Sequence, residues 1–282
     1  MRSTTPSIRR RFLRSLADDA GAAAAAYRVG LAAAVSQTPV LLGRAVFYGV
    51  CLMVLVAFWD KVAVHRLPGT LATRLPPGGL GIYVGVTEWI TLSVPAIHFK
   101  LEDDIRSGAL EPHLLRPKVY LTQTLAGQAG GMTARLGLLG VAGLALLALS
   151  GRAWPPVATL AAVGVLGVIG AAVGMLLLTL VGLTAFWLRR VLPPMLIVQK
   201  LCFLLGGLFA PIAFYPDWLY RLAVASPFAA NLAFAGQAIL DPPNAAAFLQ
   251  ALGAELFWLV ALTALAALVW RAGLRKTLRN GV

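Results

Sequence analysis

Charge is scarce in this sequence. Only 12% of its 282 residues are charged, against roughly 25% in a soluble domain, while 59% are hydrophobic. Acids are the scarcest: 11 Asp and Glu stand against 24 Lys and Arg, for a net charge of +13. No polar stretch exceeds about 30 residues, too little for an independent core, so no second, soluble domain is expected within these residues. Histidine and cysteine are also rare. His65, His98 and His113 share no ligand-like spacing. Cys51 and Cys202 both fall in apolar segments, where cysteine serves as a small apolar residue; neither a disulfide framework nor a zinc pattern is present. A phosphate-binding loop is missing too. Its Gly-x-x-x-x-Gly-Lys-Ser/Thr pattern needs a lysine after a glycine, and none of Lys61, Lys100, Lys118, Lys200 or Lys276 follows one. A net positive charge in a soluble protein suggests nucleic acid. In a chain this apolar the positive-inside rule accounts for it, and no nucleic-acid partner is expected.

What is present is a series of apolar runs near the 20 residues that cross a bilayer. The expected spans are Pro39–Trp59, Gly79–Phe99, Met132–Leu149, Val157–Trp187, Met195–Phe214 and Ala245–Trp270. Putting the N-terminus inside leaves 19 of the 24 Lys and Arg on the inner side and 5 outside, which predicts six spans with both termini cytoplasmic. Before the first span, Arg9-Arg10-Arg11-Phe12-Leu13 superficially matches an export signal, but Asp18, Asp19 and Arg28 interrupt what should be a clean apolar stretch. Ile8, Phe12 and Leu16 recur every four residues instead, as on an amphipathic helix lying at the inner membrane surface with arginines toward anionic headgroups. Residues 215–244 are moderately apolar but broken by Pro227, Asn231, Gly236 and Pro242-Pro243. Their pieces are too short to span, and short interfacial or re-entrant helices on the outer side fit best. The expected fold is an all-α membrane protein: six transmembrane helices, the N-terminal amphipathic segment (1–37), a cytoplasmic loop (100–131) and this outer region, all in one domain over 1–282.

One polar island interrupts the pattern. Residues 101–117 read LEDDIRSGALEPHLLRP: three consecutive acids Glu102, Asp103 and Asp104, then Arg106, a Ser107-Gly108 break, and Glu111, His113, Arg116 and Pro117. Such a stretch must face water, since each charge buried in hydrocarbon costs several kcal/mol. Read from the residues alone, it is either a solvated loop that keeps the topology or a surface through which a partner drives the protein.

Asp104-Ile105-Arg106-Ser107-Gly108-Ala109-Leu110-Glu111 with Leu114-Leu115-Arg116-Pro117 resembles the permease subunits of type-2 ABC exporters, most closely the viologen-exporter-like subfamily. So does the stretch from Pro211 through Phe214-Tyr215-Pro216-Asp217-Trp218-Leu219 to Ser226-Pro227-Phe228. The resemblance covers the chain from about Arg9. It implies that the loop between spans two and three is a coupling helix seated in a groove of a separate ATPase subunit. Asp103, Asp104, Arg106, Glu111 and Arg116 would make polar contacts there, and Gly108 would permit a break between two short helices. Glu111 stands where the family more often carries Asp, and the carboxylate is kept. The resemblance further implies two copies of the ATPase, which bring ATP and Mg²⁺, so that this chain needs no cofactor of its own. A second permease half, identical or homologous, membrane lipid around both, and a bacterial inner-membrane location complete the expectation.

Within the spans, Glu88 is expected near the middle of span two and Glu255 in span six. Such carboxylates line a path or satisfy a helix contact. Phe47 and Trp89 could stack on a cationic cargo beside Glu88. Gly81-x-x-x-Gly85, Gly127-x-x-x-Gly131 and Gly170-x-x-x-Gly174 predict close helix packing within the chain. Two other functional classes compete with the permease. An integral membrane transferase would use Glu102-Asp103-Asp104 to hold Mg²⁺ but lacks a second acidic cluster. A secondary transporter would show inverted repeats and broken mid-membrane helices, and no internal repeat is evident.

Overall fold

The computed structural model describes residues 8–66, 79–110, 117–208 and 210–279. Among the described residues every regular element is helical. In chain order they are α1 (Ile8–Ser36), α2 (Thr38–Arg66), α3 (Gly79–Ser93), α4 (Ile97–Arg106), α5 (Pro117–Leu149), α6 (Val157–Leu183), α7 (Leu192–Leu205), α8 (Asp217–Val224), α9 (Phe234–Leu240) and α10 (Ala245–Arg279). Five helical stretches are long and apolar enough to cross a membrane: Thr38–Trp59, Gly79–Arg106, Tyr120–Leu149, Val157–Phe186 and Ala245–Arg279. The count rises to six if the bent pair Asp217–Val224 and Ala229–Leu240 forms one span.

The central post is α6. Glycine recurs along it, and at several positions a neighbour occupies the place of a side chain. Gly167 receives the Trp89 ring of α3, Gly170 the backbone carbonyl of Asn231, and Gly182 the Cα of His98 on α4, 2.9 Å from where a Cβ would sit. Small residues let helices approach to backbone contact, which replaces the hydrophobic drive that lipid does not supply. Each of the three glycine repeats expected to pack does so inside the chain. Gly81 and Gly85 of α3 meet Val56 and Leu52 of α2, Gly170 and Gly174 meet Asn231, and Gly127, Gly130 and Gly131 of α5 meet α1.

That last contact changes the picture of the N-terminus. α1 lies along α5, with Gly30 against the Gly127 carbonyl, Gly130 against the Tyr27 carbonyl, and the Tyr27 hydroxyl donating to Thr133 Oγ1 at 3.0 Å. The approach to span three, expected as loop up to residue 131, is helical from Pro117 onward, because it is the track on which α1 rests. Proline is well suited to that first helical position, where its missing N–H has no partner to lose.

Span five also departs from expectation. The run Met195–Phe214 is not one helix: α7 ends at Leu205, and Gly207 turns the chain with a φ of 71°. The turn is held from the core. The fully buried Tyr83 of α3 donates its hydroxyl to the Gly207 carbonyl at 2.6 Å, and Tyr215 donates to the Leu204 carbonyl at 2.5 Å. Periodicity cannot reveal this break, because the donors come from elsewhere in the chain. Tyr83→Phe should leave that carbonyl unsatisfied and lower stability by about 1–2 kcal/mol, read as a drop in the melting temperature of the purified protein.

Beyond the turn, α8 and the following segment meet at 81°. Ala229–Ala233 forms one π-helical turn, wholly buried, and Asn231 in it donates Nδ2 to Cys202 Sγ at 3.6 Å. The outer face of α8 is different: Trp218 is 68% exposed, and Tyr220 and Leu222 are exposed beside it.

Candidate functional site

The site begins where span two ends. Val94-Pro95-Ala96 interrupts the helix, because proline lacks the N–H that would continue the ladder and disfavours a helical residue before it. The chain restarts at once as α4, with the Ile97 N–H donating to the Pro95 carbonyl at 2.8 Å. The candidate coupling helix therefore follows a membrane span directly, after a break of three residues.

α4 is amphipathic. Ile97, His98, Leu101 and Glu102 are buried on one face, packed on the Gly182 end of α6. The three neighbouring acids have three different environments. Glu102 is buried and pairs with Arg106 at 3.5 Å. Asp104 pairs with Lys100 at 2.8 Å and accepts a hydrogen bond from the Tyr120 hydroxyl of α5. Asp103 points outward and is exposed. Arg106 also donates to the Arg189 carbonyl in the α6–α7 turn. The helix stops where Gly108 takes a φ of 74°, a left-handed stop that glycine adopts without steric cost. Of the residues expected at the site, Asp103, Asp104, Arg106 and Gly108 come together here. Glu111 and Arg116 lie outside the described residues, and Pro117 opens α5.

Tyr120 connects α4 to something the sequence did not suggest. Its ring stacks on Trp270 of α10, with centroids 5.6 Å apart and planes 13° from parallel. Trp270 in turn meets Phe186 edge-on at 5.6 Å. Gly273 lies under the Phe186 ring, and Lys276 donates to the Phe186 carbonyl at 2.9 Å. One line of contacts thus runs from Asp104 through Tyr120, Trp270 and Phe186, tying α4 to three spans. The only sequence sign was aromatic residues near span ends, which also fits ordinary interface anchoring.

The residues expected on a path do not share one surface. Phe47 is 56% exposed on the outer side of α2. Trp89 points inward, donating Nε1 to the Leu136 carbonyl at 2.8 Å and packing on α6. Glu88 lies within electrostatic reach of Tyr48 and Cys51 of α2. Glu255 is 1% exposed within α10, with Oε2 lacking a hydrogen-bond partner among the described residues. In the second stretch behind the resemblance, Pro211 is buried, Pro227 and Phe228 are half-buried, and Pro216, Asp217 and Trp218 are exposed at the start of α8.

A bundle of five or six apolar helices long enough to span, with a charged helix following the second, defines a multi-pass membrane protein. Its kind follows from comparison with known families. The model for ABC-2 family transporter proteins matches residues 80–281, well over half of the chain, and the chain belongs to that family. It is a membrane component of ABC transport, and nucleotide-binding domains are not part of this family's chains. No curated protein and no solved structure matches it.

Proposed function

We propose that this chain is the permease half of an ATP-driven exporter of the viologen-exporter-like kind. Two such halves, identical or homologous, form the path in a bacterial inner membrane, with both termini cytoplasmic. A separate ATPase, in two copies, binds ATP and Mg²⁺. α4 and the turn at Gly108 dock into a groove of that ATPase, Asp103 making the polar contact. When the ATPase pair closes, the push on α4 reaches α5, α6 and α10 through Asp104, Tyr120, Trp270 and Phe186. Spans one, two and five rearrange at the interface between halves. The 81° bend after α8 is re-entrant on the outer side, and the exposed Trp218 anchors it at the interface.

The observation that carries this reading is the division of labour on α4. Asp104 and Arg106 are engaged with the chain's own Tyr120 and Arg189, while Asp103 faces outward. A helix braced on one side and charged on the other is built to receive force. The test is co-expression with candidate ATPase subunits. The wild type should capture an ATPase and stimulate its turnover. Asp103→Arg with Gly108→Pro should abolish both while the protein remains monodisperse in the membrane. Capture that survives this double change, or ion-gradient-driven transport without any ATPase, would sink the reading and favour a secondary transporter.

A further inference from the structure

Two arginines stand inside apolar spans and come together. Arg44 lies on α2 and Arg135 on α5, within electrostatic reach of one another. Their level can be read from both helices. From Arg44 to Trp59, and from Arg135 to Ser150, a helix rises about 22 Å. In a hydrocarbon core of roughly 30 Å, both side chains therefore sit near one membrane face, the face at which α3 ends and α4 begins. The Arg44 guanidinium confirms that level: its Nη1 donates to the Leu92 carbonyl, in the last turn of α3, at 3.3 Å.

An arginine near a span end ordinarily snorkels its head to water. Arg135 does not: its Nη1 is buried and has no hydrogen-bond partner among the described residues. Neither arginine forms an ion pair with Glu88, one turn before Leu92, or with any other described carboxylate. The end of α1 does not answer the charge either. Ala34 packs beside Gly131, one turn before Arg135, but the carbonyls there are engaged. Those of Ala33, Ala34 and Val35 accept from the Ser36 hydroxyl, the Gln37 N–H and the Thr38 hydroxyl. Two like charges at this depth repel, and an uncompensated charge away from water is costly. The group that satisfies both is an anion with several acceptor oxygens.

We infer that Arg44 and Arg135 form a binding site for the phosphate of an anionic phospholipid, taken from the leaflet on the α4 side, where α2, α3 and α5 meet. A phosphodiester carries the acceptor oxygens that match the guanidinium fork. Its level in the bilayer is the level of these side chains, and basic pockets between spans suit such headgroups. A soluble phosphate offers the same oxygens, and the test separates the two sources. The site is independent of how the transporter is energised.

The test titrates the purified full chain in detergent with dioleoyl phosphatidylglycerol, and native mass spectrometry counts the bound lipids. The wild type should hold one molecule about tenfold or more tighter than the next, and tighter than phosphatidylcholine, whose choline cancels the charge. Arg135→Gln and Arg44→Gln should each weaken that first molecule by about tenfold or more. Arg135→Lys keeps the charge without the fork and should fall between. The exposed Arg271 and Arg275 of α10 are the control: changing both to Gln should leave the first molecule in place. Inorganic phosphate at millimolar concentration should not displace it. A second measurement needs no variant. Phosphatidylglycerol with a photoreactive headgroup, in vesicles holding the wild type, should label the α1–α2 turn and α5 around Arg135. Equal affinity in the Gln variants, an equal loss in the α10 control, or headgroup labelling confined to other segments would overturn the inference. Displacement by inorganic phosphate would overturn lipid as the source of the anion.

Discussion

Trp270→Ala should destabilise the protein by about 3–5 kcal/mol, the usual cost of emptying a large aromatic from a packed core, and should disconnect α4 from α10. Trp270 is almost wholly buried between Tyr120 and Phe186. Its removal leaves both rings facing a void, and the stacking beyond simple burial, about 0.5–1.5 kcal/mol per pair, is lost with it. The control is Trp270→Phe. The indole Nε1 is buried without a hydrogen-bond partner among the described residues, so phenylalanine keeps much of the ring contact and removes that donor. Melting of the purified protein, followed by the monodisperse fraction after heating, should show a large loss for alanine and a small change for phenylalanine. Equal losses would mean that the indole makes a bond that this geometry does not contain.

Gly170→Val should prevent α6 from seating at all. A Cβ there falls on the backbone carbonyl of Asn231, and backbone cannot rotate aside as a side chain can. The whole π-helical segment would have to lift from α6, exposing residues that are now buried. Gly164→Val, on the same helix, meets open space. It should be close to neutral, since valine has a better helix propensity than glycine by a few tenths of a kcal/mol. Expression level and size-exclusion profile of the two variants should therefore diverge sharply, the first aggregating and the second behaving like the wild type. Similar behaviour of both would refute the close approach at Gly170.

Periodicity and composition made the spans that stand alone legible. Val157–Trp187 appears as α6 with its short 3-10 extension to Phe186, and Pro39–Trp59 lies within α2. Val157–Trp187 carries no charge and Pro39–Trp59 only Arg44, so the cost of placing backbone and charge in hydrocarbon is enough to mark both as helical spans. Met195–Phe214 was read as another such span and is not. Its helix ends at Leu205 because Tyr83, more than a hundred residues away, supplies the donor that makes a left-handed turn at Gly207 tolerable. The same limit applies to α1. Spacing every four residues predicts an apolar face at the N-terminus, but only the contacts of Tyr27 and Gly30 with Gly127, Gly130 and Thr133 show that α1 lies against α5.

The coupling region divides in the same way. Asp103, Asp104, Arg106 and Gly108 could be singled out in advance, because a cluster of charges amid long apolar runs has to lie at a water-facing turn. Their different tasks could not. Successive residues on a helix point about 100° apart, so neighbouring acids meet different surroundings, and which one meets Tyr120 depends on where α5 stands. The sequence by itself determined that the chain is a multi-pass helical membrane protein of the ABC-2 kind and where its charges must emerge. Those follow from the cost of placing charge and unpaired backbone in hydrocarbon, which every residue feels regardless of its neighbours. Only the tertiary structure decided which carboxylate is braced and which is exposed, where span five breaks, and that Arg44 and Arg135 come together. Each of these is a contact between segments far apart in the chain, and no local pattern encodes a distance.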